Sequence, residues 1–264
     1  MTTIINRLSD GHVHSRLCHH AEGEMEEYVV AAIAKGLEEV VFLEHMETGV
    51  EYFMTTWLTE EDFDYYFSEG ERLKEKYRRS IKLGIGVELG YNPECGTEIL
   101  DRLSRRRWDR IGISHHFCRL PGQTEHLNLL SRRGDNIANA RAFGTDAILD
   151  RYFSTLREAV LSLPGNVLCH LDAALRYVDD LQLSAKHLQT IDALLQAVKS
   201  KGMALEINTS GIPIRGTPFP HRNLLHRALE LGIPLVAGSD AHRPQEVGRH
   251  FDLLEDYINS ALSS

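Results

Sequence analysis

Nine side chains of the types that bind metal ions follow short apolar runs, at seven separate places along the chain. They are His12, His14, His45, Glu88, His116, His170, Glu206, Asp240 and His242. Imidazoles and carboxylates bind divalent transition metals, and such ions acidify a bound water so that it can attack an ester at neutral pH. Polar groups at the carboxyl ends of successive strands are typical of barrel enzymes whose chemistry lies on one face.

Two of these places hold pairs of candidate ligands. His12 and His14 are two residues apart, so both side chains point to the same face of a strand. Asp240 and His242 repeat that spacing after the last apolar run. A single pair is a weak signal of a metal site. Because the first and last strands are neighbours in a closed barrel, we expect the two pairs to lie close together.

Glu88 and two single histidines extend this set. Glu88 lies in a Gly-Val-Glu-Leu-Gly segment, and a carboxylate in such a setting is rarely buried unless it is paired or binds a metal. Its two oxygens suit a bridge between two ions, and an ion pair with an arginine at the rim is the alternative. His116 and His170 each end a further apolar run.

Two histidine positions are doubled, which leaves the choice of ligand open. His19 and His20 are adjacent in the loop after the first predicted strand. His115 and His116 are adjacent at the end of the fourth. We choose His20 and His116 as candidate ligands, while spacing alone excludes neither neighbour.

Strand and helix patterns alternate along the chain and predict an α/β fold. We predict strands near 8–13, 40–44, 83–89, 110–114, 167–171, 204–208 and 235–239. We predict helices near 23–36, 60–79, 97–106, 145–163, 183–201, 221–231 and 244–262. Such a series implies a parallel sheet that closes into a barrel. An open doubly wound sheet is the alternative, but the chain has no glycine-rich phosphate loop.

Two long segments, 46–59 and 119–144, interrupt this alternation. Each follows a strand that ends in a candidate ligand, so we expect both on the face that carries the chemistry, as lids, substrate walls or plain surface loops. The sequence contains neither a linker nor an internal repeat. We therefore predict that residues 1–264 form a single domain.

Composition excludes several classes of protein. The net charge of −9 argues against broad nucleic-acid binding, although bound cations can make a local site positive. No apolar run is long enough to cross a membrane, and the first residues lack a signal peptide, so we expect a cytoplasmic protein. The four cysteines form no Cys-x-x-Cys pair, and we expect free thiols.

The chain resembles the PHP superfamily, the polymerase and histidinol phosphatase family, and is most similar to its monofunctional histidinol-phosphatase type. The matching segments run from near the start to near the end, so the resemblance covers the whole chain. It is carried by Asp10-Gly11-His12-Val13-His14, Cys18-His19-His20-Ala21-Glu22-Gly23, Glu44-His45, Gly86-Val87-Glu88, Ser114-His115-His116-Phe117, His170-Leu171-Asp172, Glu206-Ile207-Asn208-Thr209-Ser210-Gly211 and Gly238-Ser239-Asp240-Ala241-His242.

The resemblance implies a distorted seven-stranded (β/α)7 barrel, similar to a TIM barrel, that holds three divalent transition-metal ions at the carboxyl ends of its strands. Because the ligands are rich in imidazole, we expect zinc, manganese or iron. The implied ligand groups are His12, His14, Glu88 and Asp240 for the first ion, Glu88, His116 and His170 for the second, and His20, His45 and His242 for the third.

The resemblance also implies a phosphomonoesterase that hydrolyses L-histidinol phosphate to L-histidinol and phosphate in histidine biosynthesis. Hydroxide activated by the ions attacks phosphorus in line, and Glu88, Asp240 and His242 are the candidate catalytic residues. The alternatives are a PHP-type phosphoesterase acting on another small phosphate ester or a nucleotide, an amidohydrolase-like deaminase, and a metal-stabilised binding module. The sequence does not determine the oligomeric state.

Two arginines are candidates for binding the phosphate, since a guanidinium can donate two parallel hydrogen bonds to it. They are Arg176 and Arg215. The alternatives are an ion pair between Arg176 and Asp172, and an exposed loop charge at Arg215. For the ammonium and imidazole groups of the substrate, the loops offer three acids and three aromatic residues, namely Glu47, Glu51, Glu125, Tyr52, Phe53 and Trp57.

Overall fold

Seven apolar segments pair side by side into one parallel sheet. The computed structural model of the chain describes residues 5–263. The strands are β1 (Ser9–Val13), β2 (Glu39–Glu47), β3 (Lys82–Gly90), β4 (Ile111–Ser114), β5 (Phe117–Arg119), β6 (His126–Asn128), β7 (Val167–Leu168), β8 (Ala204–Asn208) and β9 (Leu235–Gly238). The large sheet has the order β1-β2-β3-β4-β7-β8-β9, and β5 and β6 form a separate antiparallel hairpin.

The sheet closes on itself where β1 meets the end of β9, a contact that we call the seam. Val13 bridges Ala241 in parallel orientation. The amide of His14 donates to the carbonyl of Ala241 over 2.9 Å, and the amide of Asp240 donates to the carbonyl of His12 over 2.9 Å. The predicted seven-stranded parallel barrel is therefore confirmed, and the seam is held by few backbone hydrogen bonds.

Asp10 reinforces the seam from within. Its buried carboxylate accepts hydrogen bonds from the amide and the hydroxyl of Ser239, at 2.9 and 2.5 Å, and from the amide of Gly248 at 2.7 Å. These bonds tie β1 to the chain that follows β9. A motif residue that the sequence analysis did not assign a role is thus a structural clamp.

The helices lie outside the barrel and cover the apolar outer face of the sheet. They are α1 (Met25–Ala34), α2 (Glu60–Tyr77), α3 (Gly96–Ser104), α4 (Gly134–Phe143), α5 (Thr145–Ser162), α6 (Ala185–Ser200), α7 (Ile212–Arg215), α8 (Arg222–Glu230) and α9 (Leu254–Leu262). Several begin at side-chain caps, as in the reciprocal bonds between Thr59 and Asp62 at α2. Within residues 5–263, none of the helices has the length and apolar character needed to cross a membrane.

Two expectations from the sequence need correction. The helix predicted over 244–262 is helical in its second half alone, because Pro244 and the left-handed backbone of His250, with a φ of 59°, break the first half into short turns. The segment 119–144 contains the last residue of β5, all of β6 and α4. These elements are short and weakly periodic, so apolar spacing does not reveal them.

Candidate metal centre

Strand alternation turns the candidate ligands into the barrel. On β2, His45 and Glu47 follow two apolar residues of the same face, and those residues pack in the barrel interior. On β3, Glu88 shares its face with glycines. A Cβ atom at Gly90 would lie 1.9 Å from the Glu47 carboxylate, so glycine is required for the two strands to place both acids here. The sheet register sets His45 directly beside Glu88.

The first ligand group has the spacing of a metal site. The Nε2 atoms of His12 and His14 are 2.9 Å apart. His12 Nε2 lies 3.4 Å from Glu88 Oε2, and His14 Nε2 lies 3.3 Å from Asp240 Oδ1. Ligand atoms about 2.1 Å from a tetrahedral ion are about 3.4 Å from one another. These four residues therefore fit a divalent ion.

The second group is built on the other oxygen of Glu88. Glu88 Oε1 lies 2.6 Å from His170 Nε2 and 3.1 Å from His116 Nε2. Because Oε2 faces the first group and Oε1 faces the second, the carboxylate has the geometry of a bridge between two ions. Burial alone would raise the pKa of Glu88, but the imidazoles of His116 and His12 hold it well below its usual range, so this carboxyl is ionised.

The third group lies nearer to solvent. The Nε2 atoms of His20 and His242 are 2.9 Å apart, and the His20 and His45 rings stack with centroids 5.1 Å apart. His45 Nδ1 also lies 3.0 Å from Glu88 Oε2, so His45 stands between the first and third groups. Burial and then the neighbouring His45 lower the pKa of His20 to about 3, which leaves this ring neutral and able to bind a metal.

The doubled histidines have different environments. His19 is exposed in a left-handed turn with a φ of 63°, whereas His20 lines the central cavity. The buried His115 ring donates from Nδ1 to the carbonyl of Tyr91 over 2.7 Å, whereas His116 lines the cavity. The geometry therefore favours His20 and His116 as ligands.

Two carboxylates stand behind histidine rings and were not assigned this position from sequence. Glu206 accepts a hydrogen bond from His12 Nδ1 over 2.6 Å, and Glu47 accepts one from His116 Nδ1 over 2.7 Å. Glu47 had been expected to bind the substrate ammonium, but this hydrogen bond engages it. Its position two residues after His45 on β2 is the signal that could have revealed its inward orientation.

Two of the candidate ligands have a strained backbone. Asp240 and His170 both have positive φ angles, of 51° and 22°, which side chains other than glycine rarely adopt. Such a conformation persists only where the surrounding structure enforces it, and it is common at functional sites. The buried Nδ1 atom of His45 lies near Glu88 Oε2 but makes no well-aligned hydrogen bond to any described residue. Both features, together with the ligand spacing, fit a centre that binds divalent ions.

A cavity of about 520 Å³ opens above the cluster, and three arginines line it. They are Arg132, Arg176 and Arg249. Arg176 is half-buried, and its Nε and Nη1 atoms have no hydrogen-bond partner within residues 5–263. Arg249 donates to the carbonyls of Ser239 and Asp240, so it is engaged at the seam. Neither Arg132 nor Arg249 was among the candidates from sequence.

Arg215 does not have the position that was expected of a phosphate-binding residue. Its guanidinium pairs with Asp172, with Nη1 and Oδ2 3.0 Å apart, and lies 4.0 Å from the ring centroid of Phe219. It lines a neighbouring cavity and is occupied by these contacts. Asp172 therefore pairs with Arg215, and the alternative expectation of an ion pair between Arg176 and Asp172 is wrong.

The aromatic loop residues expected to contact the substrate do not line the cavity above the cluster. Tyr52, Phe53 and Glu125 line a separate cavity of about 480 Å³. The Trp57 ring contacts Phe117 edge to face, with centroids 5.7 Å apart. Phe117 itself lines the cavity above the cluster, so the loop after β2 supports the wall of that cavity from outside.

A closed parallel barrel with histidines and carboxylates at the carboxyl ends of its strands defines the class of metal-dependent barrel enzymes. The PHP domain family model matches residues 10–210, and the PHP-associated model matches residues 222–263. The chain belongs to the PHP family, as its motifs predict.

Relatives and solved structures resemble the chain over nearly its whole length. It is 27% identical over 248 residues to a probable histidinol-phosphatase of Deinococcus radiodurans, covering 92% of this chain and 90% of the relative. It is 26% identical over 260 residues to the histidinol-phosphatase of Bacillus subtilis, covering 92% and 96%.

Two crystal structures have the same fold. The hisK protein of Listeria monocytogenes gives a TM-score of 0.82 at 23% identity, covering 92% of this chain and 98% of that one. The histidinol phosphate phosphatase of Lactococcus lactis gives 0.74 at 23% identity, covering 96% and 93%, and that structure contains zinc, L-histidinol and phosphate.

Proposed function

We propose that this protein is a metal-dependent phosphomonoesterase that hydrolyses L-histidinol phosphate to L-histidinol and phosphate. The observation that carries the proposal is the guanidinium of Arg176, which lines the same cavity as the ligand cluster and whose Nε and Nη1 atoms have no hydrogen-bond partner within residues 5–263. A guanidinium opposite a group of divalent ions is suited to a dianionic phosphate. The relatives named as histidinol-phosphatases support the choice of substrate.

We propose that the centre binds three divalent ions of zinc, manganese or iron. His12, His14, Glu88 and Asp240 would hold the first, Glu88, His116 and His170 the second, and His20, His45 and His242 the third. Ions bound here would supply a water nucleophile of lowered pKa and stabilise charge on the transferring phosphoryl group.

Residues of the chain would orient the substrate in the cavity. Arg176 binds the phosphate oxygens on the side away from the ligand cluster. Glu88 and Asp240 are ionised and would hold the ions, while His242, at the more open side of the cluster, would complete the third group. Phe117 and Tyr177, which line the cavity, provide a flat wall for the imidazole of the substrate.

We also propose that residues 1–264 act as one domain, although two family models match them. Asp240 and His242 lie in the second matched region, residues 222–263, yet they belong to the same cluster as His12 and His14 of the first. The His226 ring of α8 donates to the carbonyl of Ala261 in α9 over 2.7 Å, which joins the last two helices. The ligand cluster therefore needs both matched regions.

Phosphate release from L-histidinol phosphate and from a simple alkyl phosphate tests the function, with protein loaded with zinc or manganese. We expect kcat/KM to be at least about 100-fold higher for L-histidinol phosphate, which corresponds to about 2.7 kcal/mol. A protein with His19→Ala, outside the cavity, should keep this preference. Equal values for the two esters would contradict the assignment and favour a phosphoesterase of broad specificity.

A further inference from the structure

The histidine rings of the centre differ in the group that accepts a hydrogen bond from Nδ1. His12 and His116 each donate from Nδ1 to a buried carboxylate, Glu206 at 2.6 Å and Glu47 at 2.7 Å. A carboxylate behind an imidazole fixes the orientation of the ring and makes it a stronger metal ligand. The first and second ligand groups therefore each contain one strengthened histidine.

Two of the three rings of the third group, those of His20 and His242, donate to backbone carbonyls. His20 Nδ1 donates to the carbonyl of Cys18 over 2.8 Å, and His242 Nδ1 donates to the carbonyl of Asp240 over 3.0 Å. A backbone carbonyl fixes the ring as a carboxylate does, but it carries no net charge. These imidazoles are consequently weaker donors to a metal.

The first and second ligand groups are also more buried than the third. The side chains of His12 and Glu88 are 0% and 1% exposed, whereas that of His242 is 27% exposed. Water competes with protein ligands at an exposed position. The buried groups also include the carboxylates of Glu88 and Asp240, whereas the third group consists of imidazoles alone and would lie beside two other cations.

We propose that the centre has two parts of different affinity. The buried positions formed around Glu88 hold two divalent ions tightly, and the position formed by His20, His45 and His242 holds one ion weakly and exchanges it with solution. This inference rests on the three-ion centre proposed above. Glu206 and Glu47 are positioning residues that act through His12 and His116, and they stabilise the buried part alone.

Equilibration of zinc-loaded protein against a series of zinc buffers tests this division. Bound zinc per chain is measured by elemental analysis after gel filtration. We expect two steps, in which one ion leaves at a free zinc concentration at least about tenfold higher than the other two, because groups behind metal ligands typically change affinity by 10–100-fold. Loss of all ions in a single step, or binding of no more than two ions, would overturn the proposal.

Variants assign each step to its residues. His20→Ala should abolish the first step and leave two tightly bound ions, and His19→Ala is the matched control that should keep both steps. Glu206→Ala should move the second step by about 10–100-fold and leave the first unchanged, with Glu206→Gln intermediate. If Glu206→Ala fails to fold, the Gln variant and His20→Ala still decide the question.

The outcome is independent of the substrate assignment. Two-step release with no hydrolysis of L-histidinol phosphate would contradict the proposed function and leave the division of the centre standing. A shift of the first step in Glu206→Gln would contradict the division while leaving the function intact.

Discussion

Arg176 differs from Arg215 and Arg249 in the partners available to its guanidinium. Arg215 pairs with Asp172, and Arg249 donates to backbone carbonyls. The buried Nε and Nη1 atoms of Arg176 have no partner in the described part of the chain. A buried donor without a partner costs about 1–3 kcal/mol, so this arrangement is retained at the expense of stability. Because Arg176 lines the cavity above the cluster, a phosphate group bound there would lie beside its guanidinium.

Replacement of Arg176 by Ala should therefore lower kcat/KM for the phosphate ester by roughly 10- to 100-fold, since hydrogen bonds to charged groups contribute about 1.5–3 kcal/mol. The kcat/KM of Arg176→Lys should lie between those of Arg176→Ala and wild type, because lysine keeps the charge and loses the planar pair of donors. Steady-state kinetics, with metal content measured in parallel, provides the check. Wild-type kcat/KM in Arg176→Ala would show that the phosphate binds elsewhere.

Arg215→Ala is the contrasting variant. It removes an ion pair to Asp172 and a contact with Phe219, so we expect a lower melting temperature with kcat/KM within about threefold of wild type. Calorimetry and the same kinetic assay separate the two effects. A large loss of kcat/KM in the folded Arg215→Ala protein would restore Arg215 as a phosphate ligand.

At the scale of elements, α2 and α3 are tied to the end of β2 by one ionic network. Glu60 accepts hydrogen bonds from Arg102 Nε at 2.8 Å and from Arg106 Nη1 at 2.5 Å. Arg102 also donates to the carbonyl of Glu47 over 2.7 Å. Because Glu47 stands behind His116, this network connects two outer helices to the ligand cluster.

The network gives stability a defined dependence on pH. Burial would raise the pKa of Glu60, but hydrogen bonds from Arg106 and Arg102 lower it below the usual value of 4.5. The contribution of Glu60 is therefore present above pH 4.5 and is lost as the pH falls through its lowered pKa. The Glu60 side chain is 37% exposed, so the contribution is no more than about 1 kcal/mol.

Glu60→Gln should accordingly be less stable than wild type at pH 7, and this difference should shrink as the pH falls below 4.5. Urea unfolding of both proteins across this range measures the difference in free energy. Glu61→Gln, at an exposed neighbour on α2, is the control and should show little difference at any pH. A difference between wild type and Glu60→Gln that grows toward low pH would contradict the assignment.

These elements also show how far sequence reasoning extends. Period-two alternation predicts that His12 and His14 share a face and that Glu88 points inward, because strand geometry is local. The partner of a charged group is not local. Glu206 meets His12 across 194 residues, and Arg215 meets Asp172 across 43, so only the assembled barrel determines these pairs. The short elements within 119–144 were missed because they lack a sustained periodic pattern.

At the scale of the whole molecule, the ligand cluster spans the seam. His12 lies in β1 and His14 directly follows it, while Asp240 and His242 follow β9. Few backbone hydrogen bonds join these two strands directly, and Asp10 supplies part of the remaining connection. Ions bound by both pairs would hold the first and last strands of the barrel together.

Removal of metal should therefore lower the melting temperature of the whole protein. At free zinc 100-fold above the dissociation constant, a bound ion adds about 2.7 kcal/mol to the free energy of unfolding. For a domain of this size we expect chelation to lower the melting temperature by about 5–10 °C. Calorimetry with zinc and with chelator measures it, and equal melting temperatures after proven removal of zinc would rule out this role for the metal.

The seam has a consequence for the life of the protein inside a cell. A barrel has no free sheet edge only while its first and last strands stay joined. Chains that have not acquired metal would open more often at this joint and present β1 and β9 as edge strands, which attract proteases and pair with other chains. Metal supply would then govern how many copies survive quality control, in addition to how many are active.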